Sequence, residues 1–218
     1  MGDRVTPDGS PVDVYLALPP GETPGLIDSQ MGTVGSILEL GSGPGRITHP
    51  LIAIGHTVVA VDDSPEALEH VHGAERLLAD IYTLDLGRTF DAVVAGSHLI
   101  NAPDRARRMQ LLGVCSRHVR PGGVVLIERY EPGWARSPRA GTSTLGEVVV
   151  EFEPIDVSDI GFTGRVTYTL GPRSWSQEFK ALVVDDADLV EDAGHVGLAV
   201  TGWLGEDRTW ARLEPRSG

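Results

Sequence analysis

The chemistry-bearing residues of this chain stand at the ends of short apolar runs. Gly41, Gly43 and Gly45 follow the run 37–40 at alternate positions. Without Cβ atoms they let a backbone turn sharply and let a ligand come close. Glu39 lies two residues before the first of them. Asp62 and Asp63 follow the run 58–61, Asp80 follows 76–79, and Ser97 with His98 comes just after 90–95. A carboxylate in such a place accepts hydroxyl hydrogen bonds well, and charge-assisted bonds are among the stronger ones. A histidine is the side chain best suited to proton transfer near neutral pH. The set is that of a nucleotide-type binding site, and the question is which nucleotide.

Two common answers fail. The dinucleotide fingerprint G-x-G-x-x-G puts its third glycine where this chain has Arg46. A phosphate-cradling loop needs a Gly-Lys-Ser/Thr ending, which is absent. A ligand with a nucleoside and an ammonium group, but no phosphates, fits better. Glu39 would supply negative charge near that ammonium or near a sulfonium.

These residues need a frame. Strands are expected at 36–40, 57–61, 76–79, 90–95 and 124–128. Helices are expected between them, at about 46–54, from Ser64 onward and at about 103–118, with Ser64 as N-cap and Pro65 at the first helical position. Short strands alternating with helices make a parallel sheet covered on both faces, which binds ligands at strand carboxyl ends. Gly41, Asp62, Asp80 and Ser97 all fall there. Residues 1–35 read as an N-terminal cap with two short helices. Beyond Tyr130 the pattern changes to alternation. Val148, Val150 and Phe152 share a face, as do Val166, Tyr168 and Leu170, and then Trp175, Gln177, Phe179 and Ala181. The stretch 147–184 is expected to be a small antiparallel β insertion that extends or caps the sheet. A short helix at 185–193 and a hairpin of 196–203 with 209–213 complete one domain over 1–218.

With 218 residues, 41% of them hydrophobic, the chain can bury a core. Its 31 acidic against 18 basic residues argue against the basic face of a nucleic-acid binder. No apolar run reaches the length of a membrane span. The N-terminus lacks a basic region followed by an apolar one. The expectation is a cytoplasmic monomer or homodimer acting on a small molecule, with no nucleic-acid or membrane partner. Cys115 is alone, which excludes an intrachain disulfide and a cysteine zinc site, and it reads as buried filler. No carboxylate cluster calls for a metal.

Residues 36–128 resemble the class I S-adenosylmethionine-dependent methyltransferases. Ile37-Leu38-Glu39-Leu40-Gly41-Ser42-Gly43-Pro44-Gly45 is similar to that family's first motif throughout. Val58-Val59-Ala60-Val61-Asp62-Asp63-Ser64-Pro65 resembles the second, Ala79-Asp80-Ile81 the third segment, and Phe90-Asp91-Ala92-Val93-Val94-Ala95-Gly96-Ser97 the fourth. Arg120-Pro121-Gly122-Gly123 resembles the turn before the fifth strand. The resemblance implies a Rossmann-like, doubly wound α/β sheet of seven strands with an antiparallel last hairpin. It implies S-adenosylmethionine as cofactor. Asp62 would hold the ribose hydroxyls with Asp63 beside it, and Asp80 the adenine amino group next to Ile81. Glu39, Gly41, Ser42, Gly43, Gly45 and Ser97 would line the rest. Tyr15 falls in the segment that folds over the cofactor in many members, where it either contacts the cofactor or packs.

Methyl transfer is an in-line displacement at a carbon already activated by positive sulfur, so the protein must position the acceptor and exclude water. A hydroxyl acceptor usually needs a base, whereas an amine needs little more than positioning. His98 is the histidine expected to face the transfer site, as a base or substrate-orienting group, or else as a residue that lines the cofactor pocket or simply packs. Arg129, Tyr130, Trp134 and Trp175 are pocket candidates or core. Arg105, Arg107 and Arg108 read as a solvated helix face, and Asp91 as structural. The resulting expectation is methyl transfer to a hydroxyl or amine of a secondary metabolite. Its rivals are a non-methylating reaction such as a cyclisation, a noncatalytic binding platform, and a nicotinamide oxidoreductase, which Arg46 disfavours.

Overall fold

A computed structural model describes residues 6, 9 and 11–216, so much of the N-terminal cap's first ten residues lies outside the described residues. Helices α1 (Val12–Ala17) and α2 (Thr23–Met31) precede strand β1 (Ser36–Leu40). Then follow α3 (Thr48–Ile54), β2 (Thr57–Asp62), α4 (Pro65–Leu68), β3 (Glu75–Leu78) and β4 (Phe90–Ala95). After a single 3-10 turn at Leu99–Asn101 come α5 (Arg105–His118), β5 (Val119–Glu128) and α6 (Pro132–Arg136). Strands β6 (Gly141–Leu145), β7 (Val148–Ser158), β8 (Gly161–Leu170) and β9 (Arg173–Leu182) are consecutive. Helix α7 (Asp186–His195), β10 (Leu198–Leu204) and β11 (Trp210–Pro215) finish the chain.

The main sheet has seven strands in the order β10-β11-β5-β4-β1-β2-β3, parallel except at β11, which runs antiparallel to both neighbours. The expected strands and final hairpin are therefore present. Ser64 caps α4 by accepting from the Ala67 amide at 3.1 Å, as its type and place suggested. Two starts differ. Helix α3 begins at Thr48, because residues 41–47 are spent in the glycine turns. Strand β5 begins at Val119. Its register jumps from Phe90↔Val119 to Ala92↔Val124, so the Pro-Gly-Gly turn is a bulge inside the strand.

Apolar residues fill both sides of this sheet. Leu38, Val59, Val93, Val125 and Ala211 pack against α5 and α7 residues on one side. Ile37, Val58, Val94, Leu126 and Trp210 pack on the other with Ile27 of α2 and Leu51 of α3. Cys115 is fully buried in the first layer, where burial pushes its thiol up to about 12.

The insertion is a separate four-stranded antiparallel sheet, β6-β7-β8-β9, and so does not extend the main one. Its register pairs Val150 with Tyr168, Phe152 with Val166, and Tyr168 with Trp175, which confirms the expected common face. It begins earlier than 147, because β6 is wholly exposed and carries no apolar alternation. Phe152, Phe162 and Phe179 pack there with Tyr130 and Trp134.

Candidate active site

The register of the main sheet explains how distant acids meet. Cα partners across a ladder point to the same face, and so do residues two apart along a strand. Glu39 pairs with Ala60 and Val94, and Val94 with Leu126, so Asp62, Gly96 and Glu128 stand one step further on that face. Trp210 pairs with Glu128 and joins them. All of Glu39, Asp62, Val94, Gly96, Glu128 and Trp210 line one cleft of about 430 Å³ at the carboxyl ends of the strands.

The glycine loop forms the cleft's rim. The Gly41 and Ser42 amides both donate to the Val61 carbonyl, at 2.8 and 3.0 Å, which pins the loop to the end of β2. Gly41 and Gly43 have φ of 71° and 55°, in the left-handed region that favours glycine. A Cβ at Gly41 would sit 2.8 Å from the Leu99 side chain, whereas one at Gly43 would project into open space. Gly45 does not line the cleft. Its φ is 92° and its missing Cβ makes room for the His49 ring, so it shapes the loop from behind.

The acids differ in state. Asp62 accepts from the Gly43 amide at 2.7 Å and from the Ser64 amide at 2.9 Å, so it locks the loop to the start of α4. Glu39 is 5% exposed and accepts from the Thr48 hydroxyl at 2.6 Å. Burial pushes its carboxyl up to about 7, against the opposing pull of that bond and of Arg46. Asp63, Asp80 and Ile81 line the far end, and Asp80 accepts from the Tyr82 amide at 2.8 Å. Tyr15 and Val12 of α1 line the cleft from the N-terminal cap, and Arg46 donates to the Pro19 carbonyl at 3.4 Å. Thus Tyr15, Glu39, Gly41, Ser42, Gly43, Asp62, Asp63, Asp80, Ile81 and Ser97 are brought together, as expected from the sequence.

His98 is not placed as expected. It is absent from the cleft lining and its ring stacks on Tyr130, with centroids 3.9 Å apart. Burial lowers its pKa, against the raising influence of Glu128, and Nδ1 is buried without a hydrogen-bond partner. Ser97 and His98 both take left-handed backbone, φ 53° and 58°, which is uncommon for non-glycine residues and concentrates at functional sites. This turn aims the Ser97 amide at Glu128, 2.6 Å from Oε2.

Several arginines also depart from expectation. Arg108 is 5% exposed, with Nε 2.7 Å from Asp192, which is fully buried; Arg105 reaches Asp192 and Glu191. Arg107 lies over the Tyr82 ring and lines the cleft. The face read as solvated is therefore mostly engaged. Arg129 is buried, bonded to Asp186 and the Val184 carbonyl and stacked on Trp203, and so belongs to the core and not to a pocket. Asp91 holds Ser36 and Arg120, and the Ser36 bonds lead in lowering its carboxyl to about 2, as befits a structural acid. The sequence reasoning missed Glu128 and Trp210 as cleft residues. Glu128 ends its strand as Asp62 does, and that position was the available signal.

Comparison with known proteins agrees with this geometry. The family model described as "Methyltransferase domain" matches residues 38–127. The cypemycin N-terminal methyltransferase of a Streptomyces species is 30% identical over 113 residues, 49% of this chain. That match spans 45% of the relative, so the chain aligns with about half the length of the curated relative. The structure of an S-adenosylmethionine-dependent methyltransferase from Clostridium acetobutylicum superposes with TM-score 0.76 at 16% identity, covering 94% of this chain and 95% of that one. A sugar N-methyltransferase from a Streptoalloteichus species gives 0.74 at 19% identity, covering 100% and 96%. Residues 38–127 thus match a methyltransferase domain, and the chain shares the fold of solved S-adenosylmethionine-dependent methyltransferases.

Proposed function

We propose that the protein transfers the methyl group of S-adenosylmethionine to a hydroxyl or amine of a small molecule, as part of secondary metabolism. The observation that carries this reading is the common sheet face of Glu39 and Asp62 around one cleft. Asp62 accepts the ribose hydroxyls while keeping its amide bonds to the loop, since each carboxylate oxygen has two acceptor sites. Asp80 takes the adenine amino group beside Ile81, and Glu39 faces the ammonium end. Asp63, Ser42 and Ser97 complete the walls, and α1 closes over them with Tyr15. The curated relative and the sugar enzyme are both named for methylation at nitrogen, which favours an amine acceptor.

The protein's contribution to the chemistry is placement. It presents the acceptor in line with the sulfur–methyl bond and keeps water out. A thermal-shift assay with S-adenosylhomocysteine, NADH and buffer tests the reading. Stabilisation by S-adenosylhomocysteine alone is expected, and stabilisation by NADH alone would overturn it.

A further inference from the structure

We propose that Glu128 is the binding group for a cationic amine acceptor, which makes the protein an N-methyltransferase. This rests on the cofactor reading above and adds a second ligand to the same cleft.

Glu128 and Glu39 stand on one face, two strands and one two-residue step apart. Strand spacing and rise put their Cα atoms roughly 12 Å apart, far enough for two ligands to lie between and beside them. Glu128 Oε2 accepts from the Ser97 amide at 2.6 Å. Among the described residues no arginine, lysine or histidine forms an ion pair with it. A half-buried carboxylate aimed into a cleft is stabilised by a cation that arrives with the ligand.

The surroundings suit an ammonium group. Gly96 has no side chain, and a Cβ there would meet Glu128 Oε2 at 3.6 Å and Trp210 Cη2 at 3.8 Å. The space above Gly96 is therefore flanked by a carboxylate and an indole, a pairing that attracts cations. The wall continues into Tyr15, and an aromatic cluster that includes Tyr130 lies outside the cleft lining. Tyr130 stacks on His98 and touches Trp134 and Phe162 of the second sheet's cluster, while Tyr15 packs near Tyr168 of β8, at 6.3 Å. An acceptor with an apolar or sugar-like ring next to its amine fits this wall.

The charge of the acceptor also separates amine from hydroxyl. Among the described residues no histidine lines the cleft. The acceptor docks as an ammonium ion on Glu128 and loses one proton to solvent. The neutral nitrogen then attacks the methyl carbon. A nitrogen–carbon bond forms, the sulfur–carbon bond breaks with its electron pair passing to sulfur, and the products are S-adenosylhomocysteine and a methylated ammonium ion. A hydroxyl brings no positive charge to Glu128 and would use that carboxylate as a general base instead, an alternative that the matched alcohols test.

The test uses methyl-labelled cofactor, the wild-type protein and Glu128→Gln. The probes are glucosamine, phenethylamine and alanyl-alanine, each matched with glucose, phenethyl alcohol or the N-acetylated dipeptide. Wild type should label at least one amine and none of the matched compounds. Glu128→Gln should keep wild-type thermal stabilisation by S-adenosylhomocysteine, which shows that it folds and binds cofactor, and lose about 10- to 100-fold in kcat/KM for the amine. Labelling of an alcohol, labelling of no amine, or a Gln variant within threefold of wild type would overturn the proposal. If S-adenosylhomocysteine stabilises neither protein, the cofactor reading itself has failed.

Discussion

Asp62 accepts the Gly43 amide at 2.7 Å, across the gap between the ends of β1 and β2. One carboxylate thus fixes the loop that forms the cleft rim and lines the cleft itself. Shape and binding are coupled at this point, and substitutions in the loop should separate them in a predictable way.

Gly43→Ala and Gly45→Ala should fail differently. Both force an L residue into a left-handed conformation, which costs about 1 kcal/mol. At Gly43 the new methyl group meets nothing and projects into open space, so affinity for S-adenosylhomocysteine should fall by more than stability does. At Gly45 the methyl group meets the His49 ring at 2.6 Å, so stability should fall further. Chemical denaturation and calorimetry on both variants check the contrast.

Cofactor binding should release a proton near neutral pH. The Glu39 carboxyl is raised to about 7 in the unliganded protein, chiefly by burial. A native pKa above the unfolded value means that the folded state holds the proton more tightly. The resulting stability is complete below about pH 4.5 and is lost as pH rises to about 7. Glu39→Gln should therefore stabilise the empty protein at pH 8 and hardly at pH 5. The cofactor's positive end favours ionised Glu39, so affinity should increase from pH 6 to pH 8. Calorimetry in buffers of different ionisation enthalpy would show about one proton released at pH 6. Proton uptake would refute the assignment of Glu39.

His98→Phe should leave methyl transfer within about threefold. The aromatic ring preserves the stack on Tyr130, and a group outside the cleft has no reacting proton within reach. A drop of about 10²–10⁴ with unchanged cofactor affinity would restore His98 as a base. Steady-state kinetics at two pH values distinguish the cases.

Asn101 should prove a stability residue that acts through its side-chain amide. It is 2% exposed, accepts from the Tyr130 amide at 3.0 Å and donates to the Leu182 carbonyl at 2.8 Å. It therefore ties the turn after β4 to the segment after β5 and to the end of β9. Asn101→Ala leaves two buried partners unpaired and should cost about 2–3 kcal/mol in denaturant unfolding.

Local features were legible in the sequence. The glycine spacing at 41–45, the acids at strand ends and the alternation of 148–181 each depend on near neighbours, and each reappears in the structure. What escaped depends on partners far along the chain. Arg129 reads as either pocket or core until Asp186 and Trp203 are brought against it. Arg108 reads as solvated until α7 delivers Asp192. His98 follows the right strand, yet its left-handed turn sends the ring toward Tyr130 and gives the cleft the Ser97 amide in its place. Strand β6 has no apolar alternation to betray it, since all its residues are exposed.

The central claim is that this cleft holds S-adenosylmethionine with Asp62 at the ribose. Isothermal titration of S-adenosylhomocysteine into wild type and Asp62→Ala measures it directly. The account predicts one site per chain in wild type and at least about tenfold weaker binding in the variant, from loss of a charged hydrogen-bond acceptor. No binding to wild type, or equal binding to both proteins, would contradict it.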